Sequence, residues 1–274
     1  MDNTLLIVVI LTLVGLGCGI AIFLVNRFLP EEDAMLKKTE EISSYLPGMN
    51  CGACGHPGCF AYAGAVARDI DTLQTSPCMA LMSDEDNLCQ LGGVLGVELS
   101  CGEKKVAIVH CVGGSEPLYD YEGVDSCVSA MQLSSGYNKC PYSCLGFGDC
   151  AAVCPVSAIT INAEKNVAEI DPKTCIGCGL CVETCPQKLI EIIPDRMPQY
   201  LGCNYESKKN IPGRERCDDG CIHCRLCLKA AEDGEVGWDE KKDLPTFDAE
   251  ACKLAEASIE KCPKNIIIKR KTDN

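Results

Sequence analysis

Eight cysteines in the C-terminal half form a ladder suited to iron–sulphur ligation: Cys140, Cys144, Cys150, Cys154, Cys175, Cys178, Cys181 and Cys185. Shifted so that Cys140 falls on Cys217, the ladder repeats as Cys217, Cys221, Cys227, Ala231, Cys252, Ala255, Ser258 and Cys262. Proline follows Cys154, Cys185 and Cys262. Runs of the form C-x2-C-x2-C-x3-C-P hold paired [4Fe–4S] clusters, the fourth Cys of each run ligating the other cluster. The chemistry such residues serve is one-electron transfer.

Crossed ligation turns the gaps in the second ladder into a test. One site there takes Cys221, Cys224, Cys227 and the remote Cys262, and all four are present. Its partner would take Cys252 with positions 231, 255 and 258, which are Ala, Ala and Ser. One set is whole and the other dismantled, so the second copy is expected to hold a single cluster, with Cys252 an orphan. In the first copy one site takes Cys154, Cys175, Cys178 and Cys181. The other takes Cys144, Cys150 and Cys185, but Phe147 stands where the second copy has Cys224. Cys140 is the nearest replacement, although its counterpart Cys217 has no such duty in the second copy. Zinc is the competing ligand, since paired CxxC steps also hold Zn²⁺. The Pro after the last Cys and the crossed fourth ligand favour iron–sulphur.

Upstream, Leu46-Pro-Gly-Met-Asn-Cys51-Gly-Ala-Cys54-Gly-His56-Pro-Gly-Cys59 is followed by Cys78 in a Ser-Pro-Cys turn. Cys51, Cys54, Cys59 and Cys78 suffice for one [4Fe–4S] cluster, with His56 as a loop residue. Sixteen of the 24 Cys are then used. Buried free thiols are the expectation for Cys18, Cys89, Cys101 and Cys252. Cys111, Cys127, Cys203 and Cys217 would form a fifth site if they met in space, although no local spacing requires it.

The elements that must position these ligands are short. Gly177 and Gly179 sit inside the ligand loop and let backbone N–H groups face the sulphurs. Ile159–Ile161, Val167–Ile170, Leu189–Ile193 and Ile266–Ile268 read as strands closing small βαβ units. Phe60 to Ile70 reads as a helix. Leu5 to Val25 is an uncharged run spanning about 31 Å as a helix, enough for a bilayer core. No Lys or Arg precedes it, which argues against a cleaved signal. Arg27, Lys37 and Lys38 follow it, favouring a single span with the body on the cytoplasmic side. Gly15 and Gly19, like Gly17 and Ala21, would admit a packed partner helix.

With only 5% aromatic residues among 274, one large core is not expected, and metal ligation would supply much of the folding free energy. Clustered CxxC spacing in a chain of this length favours metal over disulfides. A net charge of −14 makes nucleic acid an improbable partner. The basic groups Lys208, Lys209, Arg214, Arg216, Lys264, Lys269, Arg270 and Lys271 are solvated charge by default, or else a docking face for a small acidic carrier. Gly92-Gly-Val-Leu-Gly96 lacks the G-x-G-x-x-G frame, so no nicotinamide or flavin site is expected on this chain, and no catalytic residue of bond chemistry stands out.

The order of these modules resembles the B subunit of the Rnf complex in its larger, multi-ferredoxin form. The resemblance spans nearly the whole chain. It rests on the single span, the Leu46–Cys59 module, the strand Lys105–Val109 running into Cys111, and Cys140-Pro-Tyr-Ser-Cys144-Leu-Gly-Phe-Gly-Asp-Cys150. It implies an α+β chain in the cytoplasmic (inner) membrane, working among membrane and peripheral partner subunits. It also implies electrons taken from soluble reduced ferredoxin in a complex that reduces NAD⁺ and moves Na⁺ or H⁺. The missing fourth ferredoxin cluster departs from the fuller pattern. The arm of a membrane hydrogenase, or a zinc-stabilised scaffold, is the alternative.

The organisation expected is an anchor (1–30), a linker (31–45), a four-Cys module (46–100) and a connecting segment (101–135). A two-cluster ferredoxin-like unit (136–200) and a unit retaining one cluster (201–274) complete it. Four clusters are expected, and five only if the spare cysteines converge.

Overall fold

The charged stretch after the apolar run is a helix rather than a linker. Its sequence is rich in good helix formers, and Thr39 and Ile42 fall at helical spacing and are buried. The structure, a computed structural model, describes residues 3–28, 31–100, 102–206, 211–232, 234–250 and 252–270. Cys101, Lys208, Lys209 and Lys271 lie outside the described residues. The chain divides into two compact units, residues 1–77 with 86–98 and residues 78–85 with 99–274.

In the first unit α1 (Asn3–Phe28) is long and apolar enough to cross a membrane over Ile7–Val25. α2 (Glu31–Ser44) packs on α3 (Cys59–Arg68), which buries Tyr62, Ala63 and Val66. Lys38 Nζ donates to the Ala67 carbonyl at 3.2 Å and ties the two helices. The helix expected over Phe60–Ile70 is therefore present. α4 (Thr72–Thr75) follows, then α5 (Met79–Met82), which belongs to the second unit, and α6 (Glu85–Leu95), which returns to the first. On α6, Leu88 and Leu91 are buried, while Cys89, one step round the helix, stays exposed instead of buried. Cys18 lies within the apolar stretch of α1.

The second unit repeats one arrangement twice. β1 (Lys105–Val109) pairs antiparallel with β4 (Ile190–Pro194), Val109 opposite Ile190. Between them in sequence come α7 (Cys127–Ser134), α8 (Asp149–Ala152), the hairpin of β2 (Ile159–Asn162) and β3 (Val167–Ile170), and α9 (Leu180–Thr184). Then β5 (Gln199–Leu201) pairs with β8 (Ile267–Lys269) and brackets α10 (Leu226–Ala230), the hairpin β6 (Gly237–Asp239) and β7 (Leu244–Thr246), and α11 (Glu256–Glu260). The expected strands are there, but each described pair is antiparallel, so the repeat is an outer strand pair around an inner hairpin rather than a βαβ crossover. β1, assigned to the connecting segment by sequence, is the outer strand of the first repeat.

Cysteines sit inside both cores. Val106, Ile108, Ile159, Val167, Leu189 and Ile193 surround Cys150, Cys175 and Cys181. Leu201, Leu244, Ile266 and Ile267 surround Cys203, Cys221 and Cys227. Several charges expected at the surface are instead structural. The Arg270 guanidinium donates to the carbonyls of Asp195 and Met197 (3.0 Å each) and to Asp195 Oδ1 (2.7 Å). Arg214 donates to the Gly136 and Asn138 carbonyls and Arg216 to those of Cys217 and Gly220, whereas Lys269 stays exposed in an ion pair with Glu256.

Candidate iron–sulphur sites

Cys154, Cys175, Cys178 and Cys181 come together as the ladder predicts. The Cys181 thiol lies close enough to the other three to feel their charge, and burial above all pushes it up to about 12. Ala107 of β1 donates its N–H to Cys175 Sγ at 3.4 Å, and Ala158 to Cys154 Sγ at 3.3 Å. Gly177 and Gly179 have φ of 64° and 85°. A Cβ on Gly177 would lie 2.5 Å from the Lys105 carbonyl oxygen, so glycine is needed there for close approach as well as for the turn.

Cys221, Cys224, Cys227 and Cys262 line one pocket, walled by Trp238, Pro245 and Ile266. His223 donates its N–H to Cys221 Sγ at 3.4 Å. Burial is the main cause that pushes Cys221 up to about 12. Within the C-x2-C-x2-C run, His223 and Arg225 occupy the positions that Gly177 and Gly179 hold in theirs. They adopt the same left-handed backbone, with φ of 53° and 57°. Asp243 and Trp238 hold them there. His223 Nδ1 donates to the Asp243 carbonyl (2.7 Å), and Arg225 donates to Asp243 Oδ1 (3.0 Å) while lying 4.7 Å over the Trp238 ring.

The third pocket carries a difference from the ladder. It is lined by Cys127, Cys144, Cys150 and Cys185. Cys140, the fourth ligand expected from spacing, points to Cys217 instead. Its thiol hydrogen-bonds the Cys217 sulphur, which holds Cys217 down at about 7 and raises Cys140. Cys127 reaches the pocket because α7 is docked by its N-terminus. Asp149 Oδ2 accepts from Ser126 Oγ (3.0 Å) and from Val128 N (3.2 Å), while Ser126 Oγ accepts from Ser129 N at 3.3 Å. Asp149 adjoins Cys150, so the carboxylate that caps α7 delivers Cys127 to the pocket. Phe147 packs against Tyr121 and Tyr137 with centroids 5.3 and 5.6 Å away.

The dismantled site is filled by protein. Gln199 is fully buried, its Oε1 accepting from Ala255 N (2.9 Å) and its Nε2 donating to the Lys253 carbonyl (3.2 Å). Ser258 Oγ donates to the Cys227 carbonyl at 2.8 Å, and Cys252 Sγ to that of Ala249.

In the N-terminal module Cys51, Cys54 and Cys59 share one loop. Asn50 Oδ1 accepts the Cys59 N–H at 2.8 Å and lies 2.9 Å from where a Cβ on Gly58 would sit, which fixes how the loop enters α3. His56 packs edge-on against Tyr62. Cys78 precedes α5 in the second unit.

Among the described residues no three His, Cys, Asp or Glu side chains converge on one point closely enough for a single metal ion. The fit of an iron–sulphur cluster rests on donor type and surroundings. All-cysteine sets, apolar walls and backbone N–H groups aimed at sulphur meet what such clusters require.

A protein from Methanosarcina acetivorans, named as the B subunit of an ion-translocating oxidoreductase complex, is 31% identical over 272 residues, covering 97% of this chain and 98% of its own. The chain belongs to that family, the Rnf B subunits. The corresponding B subunit of the proton-translocating ferredoxin:NAD(+) oxidoreductase complex of Clostridium ljungdahlii is 32% identical, covering 97% of this chain and 93% of its own. The Na(+)-translocating counterpart of Acetobacterium woodii is 33% identical over 82% of this chain and 66% of its own. Residues 46–74 match a family model for an Fe-S cluster, and residues 138–189 one for a 4Fe-4S dicluster domain. As an Rnf B member the chain is an iron–sulphur subunit of an oxidoreductase, and α1 agrees with a membrane location. Cys127 precedes the dicluster match. Sequence grouped it with Cys111, Cys203 and Cys217, and the signal for its actual place is the Ser126 cap at the start of a helix.

Proposed function

We propose that this chain accepts electrons from reduced ferredoxin and relays them to partner subunits of an Rnf-type complex that reduces NAD⁺ and translocates Na⁺ or H⁺. Cys51, Cys54, Cys59 and Cys78 hold one cluster, and Cys127, Cys144, Cys150 and Cys185 a second. Cys154, Cys175, Cys178 and Cys181 hold a third, and Cys221, Cys224, Cys227 and Cys262 a fourth. Bound clusters supply a one-electron acceptor and donor at each site. The chain's own residues do the rest. Burial favours the neutral thiol, so ligation displaces protons from the cysteines. Ala107, Ala158 and His223 turn their amides toward ligand sulphurs and stabilise negative charge there. The aliphatic cores keep water away from the buried ligands. Arg27, Lys37 and Lys38 beyond the span favour a body on the cytoplasmic side.

The observation that carries this reading is the assembly of all-cysteine sets lined by backbone amides in a chain that matches B subunits along its length. Purification of the intact membrane complex with identification of its subunits tests it. Partners carrying flavin and a nicotinamide site are expected, together with a brown absorbance that dithionite bleaches. A nickel-bearing partner, or a colourless anaerobic preparation, would overturn it.

A further inference from the structure

Two cysteines outside the four sets, Cys111 and Cys203, follow the outer strands β1 and β5 and face each other in an antiparallel bridge. Two more, Cys140 and Cys217, occupy equivalent places in the repeat and touch through their sulphurs. Both Cys111 and Cys203 lie close enough to Cys217 to feel its charge. We infer that Cys111, Cys140, Cys203 and Cys217 form a further [4Fe–4S] site that joins the two repeats. The inference rests on the iron–sulphur reading of the other sets and deepens it.

The backbone around these sulphurs is the strongest argument. Cys111 Sγ accepts from Gly113 N (3.4 Å) and from Cys144 N (3.5 Å). Cys203 Sγ accepts from Tyr205 N (3.5 Å) and from Cys221 N (3.3 Å). The two patterns match: one amide lies two residues on, and the other belongs to a repeat-equivalent cysteine, Cys144 or Cys221. The amides of Tyr142 and Gly220 face Cys140 and Cys217. Six N–H groups on four sulphurs exceed what neutral thiols need, whereas thiolates bound to a cluster use them.

The turn after Cys111 is built for this. Gly113 has φ 84°, and a Cβ there would lie 2.4 Å from the Lys165 carbonyl oxygen. Cys140 and Cys203 are buried, and Cys111 and Cys217 half-buried. With Cys127 engaged at the third pocket, none of the four is claimed by another set. The set of spare cysteines expected from sequence had Cys127 in place of Cys140; the two exchange roles.

The test is metal analysis of the anaerobically purified full chain. Five sites predict about 20 Fe and 20 sulphide per chain. A Cys111→Ser, Cys203→Ser variant should fall to about 16, with the dithionite-bleachable absorbance reduced by about a fifth. A wild-type count of about 16 Fe overturns this inference and leaves the four-site reading standing. So does 16 Fe with about one zinc, or a Cys140–Cys217 disulfide found by alkylation mass spectrometry. Negligible iron sinks both. The wild-type count decides even if the variant misfolds.

Discussion

Removing the Asp149 carboxylate should undock α7 without touching a ligand. Oδ2 of this residue accepts from Ser126 Oγ and Val128 N, and it stands at the N-terminus of an eight-residue helix. Loss of such a cap costs about 0.5–2 kcal/mol. Loss of a negative charge beside a helix N-terminus costs about 0.3–1 kcal/mol more. The sum, about 1–3 kcal/mol, corresponds to a roughly 5- to 150-fold rise in the population of opened α7, at about 1.4 kcal/mol per tenfold. Hydrogen exchange of the 127–134 amides in Asp149→Ala reads that factor directly, because local opening sets their protection. Asp149→Asn keeps an acceptor and should fall between. Faster iron release to a chelator should accompany the change, about four Fe per chain leaving ahead of the rest. Unaltered α7 exchange in Asp149→Ala would refute the docking argument.

Cys127→Ser should disturb the site of Cys144, Cys150 and Cys185, whereas Cys140→Ser should leave that site's electron paramagnetic resonance signal in place; the reverse outcome would restore the spacing-based assignment. Gly177→Ala, which meets the Lys105 carbonyl, should cost about four Fe per chain, measured by colorimetric iron assay. Gly179→Ala meets nothing within 4 Å and should cost only the left-handed backbone penalty of about 1–2 kcal/mol, read as a small fall in melting temperature with iron retained. Gln199→Leu leaves the Ala255 amide and the Lys253 carbonyl unpaired and should destabilise by about 2–6 kcal/mol in denaturant unfolding. Removal of residues 1–30 should release the chain from membranes in fractionation, and retention would show that other contacts suffice.

Much of the site was legible because cluster ligands obey strict local spacing and proline marks the crossed ligand. The dismantled site was readable from Ala231, Ala255 and Ser258 alone, and Gln199 now stands in its place. Cys127 was grouped with the spare cysteines, because its approach to Cys144, Cys150 and Cys185 depends on a tertiary bond between Ser126 and Asp149 rather than on spacing. Phe147 signalled a missing ligand but not its source. The helix over 31–44 was hidden by its acidic start, although Thr39 and Ile42 carried the periodicity. Strand positions followed from β-branched runs, but runs of three to five residues do not encode whether partners are parallel. The basic residues were read as solvent-facing because nothing local shows that Arg214 and Arg270 bond distant carbonyls.

The bracketing of each repeat by its own outer strand pair bears on how the protein is made. β1 finds its partner once β4 has left the ribosome, so the first repeat can close, and take up metal, while the second is still being made. The second must wait for β8, and Arg270 then fastens it to the 195–197 turn of the first. A chain halted between β7 and β8 would therefore carry a finished first repeat beside unpaired β5. Ribosomal stalling in that window should yield a brown, partly loaded nascent chain.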